Sequence, residues 1–245
     1  MQVKKEELDS IAFGANVLKI EDIDENIDFQ NFEKEYVNQY SPIYVYTKIP
    51  IEELHKINYL EQHGFEFVEC QFELFRRFSK PYDVEAYDSD MEVSIVDNEK
   101  DLEEVKLISD KVFSKIDRIN LDKNIPADVG KKRYRLYLDN SYKQPNQIIY
   151  KSVDKSTNKI MGFGSILFKD DKSAVQLIGG TLPEYQGTNI SNIGSCIIYN
   201  NFIKQGRKNV TTYISCGNIN IVNYMLKGFA FKVKKTYVVL RKLYK

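Results

Sequence analysis

One pattern constrains this chain more than any other, and it occurs twice. At 43–77 and again at 210–243, a run rich in β-branched and aromatic residues leads into a helical segment. A Gly-Phe pair and a second alternating run follow. The first copy reads IYVYTKI, a helix ending INYLEQHGF, then EFVECQFELFRR; the second reads VTTYIS, IVNYMLKGF, then AFKVKKTYVVLRK. In the first helix Ile51, Leu54, Ile57, Tyr59 and Leu60 fall near a 3.6-residue period, with Pro50 suited to its entry and Gly64 to its cap. Either any strand-helix-strand unit closed by glycine looks like this, or the first copy is a partial duplicate of the second. In the latter case the first copy shapes a pocket and does no chemistry.

The rest of the chain supplies what these units pack against. The segment 76–92 is charged, holds Pro81 and is poor in apolar residues, as a linker is, so the expected boundary lies at 85. Beyond it the pattern predicts a strand at MEVSIV, a helix over 102–113, a second helix over KKRYRLYLDNSY and a hairpin across DKSTNK. A strand at SAVQLIGGTL, a helix ending near Gly206, and the second repeat unit complete the chain. The expectation is an α/β (α+β) fold with a mixed, mostly antiparallel sheet flanked by helices. A smaller N-terminal α/β unit, 1–85, precedes a main domain, 86–245.

Composition removes several functions. With 35 Lys+Arg against 35 Asp+Glu the chain carries no net charge, which argues against nucleic acid as a partner. No apolar run approaches the ~20 residues of a membrane span, and Cys70, Cys196 and Cys216 have neither metal-ligand nor disulfide spacing. A cytoplasmic protein without a membrane partner is expected. The only histidines, His55 and His63, lack a third ligand, so no metal is expected. Any chemistry in the second half works without imidazole.

The most informative stretch is a strand, the turn Pro183-Glu184-Tyr185-Gln186-Gly187, and a helix. Gly187 and Asn189 tolerate positive φ, and a turn opening a helix leaves backbone N–H groups free beside the positive end of its dipole. A phosphate can bind there without lysine, although such a loop is more often only a loop. The run Pro183 to Ser191 resembles the pyrophosphate loop of the GNAT superfamily of acyl-CoA-dependent N-acyltransferases, with Asn189 and Ser191 where that family usually has glycine. The ending Tyr224-Met225-Leu226-Lys227-Gly228-Phe229 is similar to that family's helix carrying a Tyr four residues before Gly-Phe.

The resemblance implies acetyl-CoA as cosubstrate. It implies Gly180, Thr181, Leu182, Gln186, Gly187, Thr188, Asn189, Ile190, Ser191 and Asn218 as its binding residues, and Tyr224 as proton donor to the departing thiolate. The first half narrows it further. Leu8-Asp9-Ser10, Phe13-Gly14, Lys48, Gly64-Phe65 and Val68-Glu69, then Asp117-Arg118, Leu121-Asp122, Ile125-Pro126, Tyr134, Tyr137 and Asn140-Ser141 follow the order seen in nucleotide amino-sugar (TDP-fucosamine) acetyltransferases. That likeness implies a small-molecule amine acceptor on a nucleotide sugar, with Arg118, Tyr134 and Tyr137 on its side, and allows a homodimer. A protein N-terminus, a polyamine or an antibiotic amine stays open as acceptor, as does a non-catalytic acyl-CoA-binding module. Glu184 is a conceivable base, but solvent exposure is the simpler reading, and the base is left unassigned.

Overall fold

In the computed structural model, residues 1–84, 91–113 and 118–244 are described. The expected boundary at 85 and Asp117 lie outside them. Ten strands form one sheet: β1 (Gln2–Lys5), β2 (Val17–Glu21), β3 (Tyr44–Pro50), β4 (Glu66–Arg77), β5 (Met91–Ile95), β6 (Gln147–Asp154), β7 (Lys159–Phe168), β8 (Ser173–Thr181), β9 (Asn209–Ser215) and β10 (Lys232–Leu243). Their spatial order is β1-β2-β3-β10-β4-β9-β8-β7-β6-β5. Among the described strands, only β2 with β3 and β8 with β9 pair in parallel.

The middle of this order is where the two similar units meet. The first supplies β3, α3 (Leu54–Gln62) and β4; the second supplies β9, α8 (Ile219–Asn223) and β10. They interleave as β3-β10-β4-β9, each unit placing its last strand inside the other. The sheet therefore runs without interruption across the expected boundary. Pro50 ends β3 opposite Tyr237, one turn earlier than a helix-entry proline would sit. Gly64 takes φ +83 just after the helix, as a cap requires.

Residues directly opposite on paired strands share a face, which sorts the sheet into two sides. On one side Ile49, Val238, Cys70, Phe72 and Ile214 follow one another across the register. That side is apolar and covered by α2 (Phe29–Tyr40), α3, α7 (Ile190–Lys204) and α8, with Phe29, Leu60, Tyr199, Phe202 and Val222 in contact. The other side carries α1 (Glu7–Phe13), α4 (Glu99–Val112), α5 (Arg118–Leu121) and α6 (Ala127–Lys143), packed through Ala12, Val105, Ile119 and Leu138. Between them, over the central strands, this side has a polar floor: Lys48, Glu69, Glu73, Tyr213 and Tyr237. No described helix is long and apolar enough to cross a membrane.

Candidate functional site

The site is built where β8 parts from β9. Their parallel pairing runs from Ser173↔Asn209 to Gln176↔Thr212 and stops, although both strands continue. On its other edge β8 slips register between Gly179 and Gln176 against Gly164 and Ile166, the mark of a bulge. Beyond Gln176, then, β8 presents a backbone edge that β9 no longer occupies. Glycines permit this shape: a Cβ on Gly180 would lie 2.6 Å from Val112 Cγ1, so only glycine lets α4 approach so closely.

The loop after β8 closes one end of the opening. Pro183–Tyr185 forms a single 3-10 turn, and Gln186 Nε2 donates to the Thr181 carbonyl at 3.0 Å. Gly187 takes φ +77 with open space where a Cβ would be. The Thr188 hydroxyl accepts from the Ile190 N–H at 3.3 Å, and the first α-helical bond of α7 runs from Ile193 to Asn189. The N–H groups of Ser191 and Asn192, in the first turn, have no intrahelical acceptor and face out of the helix start.

The two residues that replace the glycines have local explanations. Asn189 sits at φ −70, ψ −9, ordinary right-handed geometry, so no glycine is needed there. Ser191 gives its hydroxyl to a 2.7 Å bond with Thr181 Oγ1, tying the start of α7 to the end of β8. The loop keeps the one positive-φ position that requires glycine.

Tyr224 comes to this junction from α8. The helix expected over this segment changes geometry at that residue, α8 giving way to a π-helical turn over Tyr224–Gly228. The Tyr224 hydroxyl donates to the Ser191 carbonyl at 2.9 Å and lies 3.2 Å from Ser195 Oγ. Its ring packs edge-on against Phe229, with 5.1 Å between centroids, which is what the Gly-Phe ending provides. Burial pushes the phenol up to about 12, so it holds its proton throughout the neutral range. Asn218 caps α8, its side chain accepting from the Ile221 N–H at 3.5 Å.

The acceptor-side residues fall into two places. Tyr134 stacks on Phe113 at 4.3 Å and belongs to the core. Arg118 and Tyr137 join a buried cluster at the contact of α1, α5 and α6. Arg118 Nη2 donates to Asp9 Oδ2 at 2.5 Å, while Arg133 Nε and the Tyr137 hydroxyl both donate to Oδ1, at 2.7 and 2.9 Å. The Arg118 guanidinium also lies 3.8 Å from the centroid of Tyr46. Burial alone would raise the Asp9 carboxyl, but Arg133 and Arg118 outweigh it and hold it at about 2. Glu184 is exposed and paired with Lys159 at 2.9 Å. His55 pairs with Glu25 at 3.2 Å, and His63 Nδ1 lies 2.7 Å from the Tyr59 carbonyl oxygen. Among the described residues no group of His, Cys, Asp or Glu is arranged to hold a metal.

Sequence reasoning missed the polar floor beside this opening. Glu73 lies opposite Tyr213, the first β9 residue past the last β8 pair. Its carboxylate accepts from Lys234 Nζ at 2.8 Å and from the Tyr237 hydroxyl at 2.9 Å. Lys48 reaches across from β3, its Nζ 3.9 Å from the centroid of Tyr213 and 4.4 Å from that of Tyr237. Alternation along β4 could have put Glu69 and Glu73 on one face, but only the strand order brings Lys48 to them.

No known family profile matches the chain, and no curated protein matches it in sequence. Solved structures do match in fold. The chain is similar to a GCN5-related N-acetyltransferase from Sphaerobacter thermophilus, with TM-score 0.63 and 13% identity over 87% of this chain and 65% of that one. It is similar to a functionally unknown conserved protein from Staphylococcus epidermidis, with TM-score 0.65 and 13% identity over 95% and 86% of the two chains. A tandem GNAT protein from the clavulanic acid biosynthesis pathway aligns with TM-score 0.60 and 10% identity over 94% and 76%. The chain thus has the GNAT acetyltransferase fold, a mostly antiparallel sheet flanked by helices, and spans 65% of the Sphaerobacter protein's length.

Proposed function

We propose that the chain is an acetyl-CoA-dependent N-acetyltransferase whose acceptor is a primary amine on a nucleotide-linked amino sugar. The observation that carries this reading is the meeting of three elements at the β8/β9 opening: Thr181 from β8, Ser191 from α7 and Tyr224 from the π-helical turn after α8. Acetyl-CoA, when bound, supplies an acetyl thioester with a thiolate as leaving group. Gly187, Thr188, Asn189, Ile190 and the N–H groups of Ser191 and Asn192 cradle its pyrophosphate, with Gln186 bracing the loop. The released edge of β8 at Thr181, between Gly180 and Leu182, offers a backbone N–H to the thioester carbonyl, stabilising negative charge as it develops, while the Leu182 N–H is taken by the Met161 carbonyl at 2.8 Å. Holding amine and thioester together removes much of the entropic barrier. Tyr224 protonates the departing thiolate, and Asn218 positions its helix.

In this reading residues 1–85 form the acceptor-side unit and 86–245 the transferase unit, with β4 and β10 exchanged between them. The first unit has Leu60, fully buried, at the repeat position that Tyr224 holds in the second, which supports a shaping role without chemistry. Arg118 and Tyr137, braced by Asp9, form the wall of the acceptor side. The test is calorimetry with acetyl-CoA followed by CoA release against a panel of nucleotide amino sugars, polyamines and aminoglycosides. Heat with acetyl-CoA and turnover on a nucleotide amino sugar are expected. Turnover on another amine alone changes the acceptor, and no heat at millimolar acetyl-CoA overturns the enzyme reading.

A further inference from the structure

We propose that Lys48 is a self-acetylation site: with acetyl-CoA bound and no acceptor present, its side-chain amine takes the acetyl group. The inference rests on the acetyltransferase reading above and goes beyond it to a modification of the protein itself. Its basis is position. The Lys48 ammonium rests on the ring of Tyr213, and Tyr213 is the first residue of β9 past the point where β8 and β9 part. The amine therefore stands at the rim of the opening, on the sheet face that carries α4, α5 and α6.

Its surroundings hold it there and favour the neutral form. Tyr213 and Tyr237 flank it, from β9 and β10. The charged groups acting on it are Glu73 and Glu69 of β4, which favour its charge, and Lys19 of β2 and Arg118 of α5, which oppose it. Burial is the largest influence and brings its pKa down to about 8. An amine with that pKa is unprotonated about a tenth of the time at pH 7, far more than an exposed lysine.

The step balances without another reactant. Neutral Lys48 Nζ attacks the thioester carbon, forming a C–N bond as the C–S bond breaks; the nitrogen loses a proton to water, the CoA thiolate gains one from Tyr224, and the phenolate regains its proton from solvent. The products are Nε-acetyl-Lys48 and free CoA. Acetylation removes the ammonium from between Glu69, Glu73 and the two tyrosines and leaves the floor net acidic.

The experiment uses the full chain with acetyl-CoA alone. Peptide mapping by mass spectrometry follows acetylation of each lysine over time and pH, and calorimetry on the same preparation reports acetyl-CoA binding. Lys48 should be acetylated at least about 10-fold faster than the exposed Lys100 and Lys227. That preference should vanish in urea, and the rate should rise through pH 8. In a second measurement, acetic anhydride labelling without acetyl-CoA should show Lys48 titrating below the exposed lysines. Binding heat with Lys48 unlabelled, or labelled no faster than Lys100, overturns the proposal and leaves the acetyltransferase reading standing. Absence of binding heat overturns that reading and the proposal with it.

Discussion

The Tyr224 hydroxyl donates a hydrogen bond to the Ser191 carbonyl oxygen across 2.9 Å, joining the π-helical turn after α8 to the first turn of α7. This bond fixes the phenol at the mouth of the loop, on the side where β8 and β9 separate. It also makes Tyr224 the residue through which the proposed chemistry is most directly tested.

Tyr224→Phe keeps the ring against Phe229 and removes only the hydroxyl. Turnover should fall by about 10²-fold or more if the phenol is the proton donor, with the acetyl-CoA dissociation constant within a factor of about two. Because the phenol titrates near 12, wild-type turnover should show no alkaline limb belonging to Tyr224 between pH 7 and 10. Stopped-time CoA-release assays across that range check both statements. Unchanged turnover in the variant removes the assigned role.

Asp9→Asn withdraws the carboxylate charge from Arg118 and Arg133 while keeping the side chain's shape. Breaking a buried ion pair from one side costs about 3–5 kcal/mol, and urea unfolding at neutral pH should show a loss of that order. The pH dependence has a defined sign. The carboxyl's folded value of about 2 lies below its ordinary 3.8, so its stabilisation is complete above about pH 4 and disappears as pH falls toward 2. The gap between wild type and variant should narrow over that interval.

Gly180→Ala places a methyl 2.6 Å from Val112 Cγ1, so α4 or β8 has to move. Overpacking of this kind costs roughly 1–3 kcal/mol, and acetyl-CoA binding should weaken with it because the released edge of β8 shifts. Val112→Ala in the same chain should restore most of both. A thermal melt and a titration of the single and double variants decide the point.

Gly187→Val and Gly187→Asn separate backbone conformation from space. A side chain at this position meets nothing, but its φ of +77 disfavours β-branched residues. The valine variant should lose about 1–2 kcal/mol of loop stability and bind acetyl-CoA correspondingly less well. The asparagine variant should remain near wild type. Equal binding by both would show that the loop does not need its positive φ for the ligand.

Local features of the sequence carried the loop and the tyrosine. Pro183 to Ser191 forms the turn into α7 that its residue types predict, and the Gly-Phe pair at 228–229 sets Phe229 against the Tyr224 ring, although the backbone there is π-helical. Long-range pairing was hidden. Nothing in the alternation of 232–243 says that this strand enters between β3 and β4, because both neighbours offer the same mixed polar and apolar register. The Asp9–Arg118 contact was hidden for the same reason: chain order placed the two residues in similar segments without revealing that α1 and α5 meet. The π-helical turn at Tyr224 reflects how α8 joins β10, which a 3.6-residue pattern does not register. In 2–40 the apolar runs are short and broken by charge, so the sequence shows a small mixed unit there without its separate strands and helices.

The interleaving of β10 between β3 and β4 has a consequence for how the molecule comes into being. During synthesis β3 and β4 leave the ribosome early, yet each has an edge that only residues 232–243 can complete. Until then the nascent chain exposes two open strand edges, the kind that invite pairing with the wrong partner. Closure of the N-terminal half must wait for the last strand, so the two halves cannot mature one after the other. Folding should be slow and all-or-none, and loss of β10 should leave both halves unfinished.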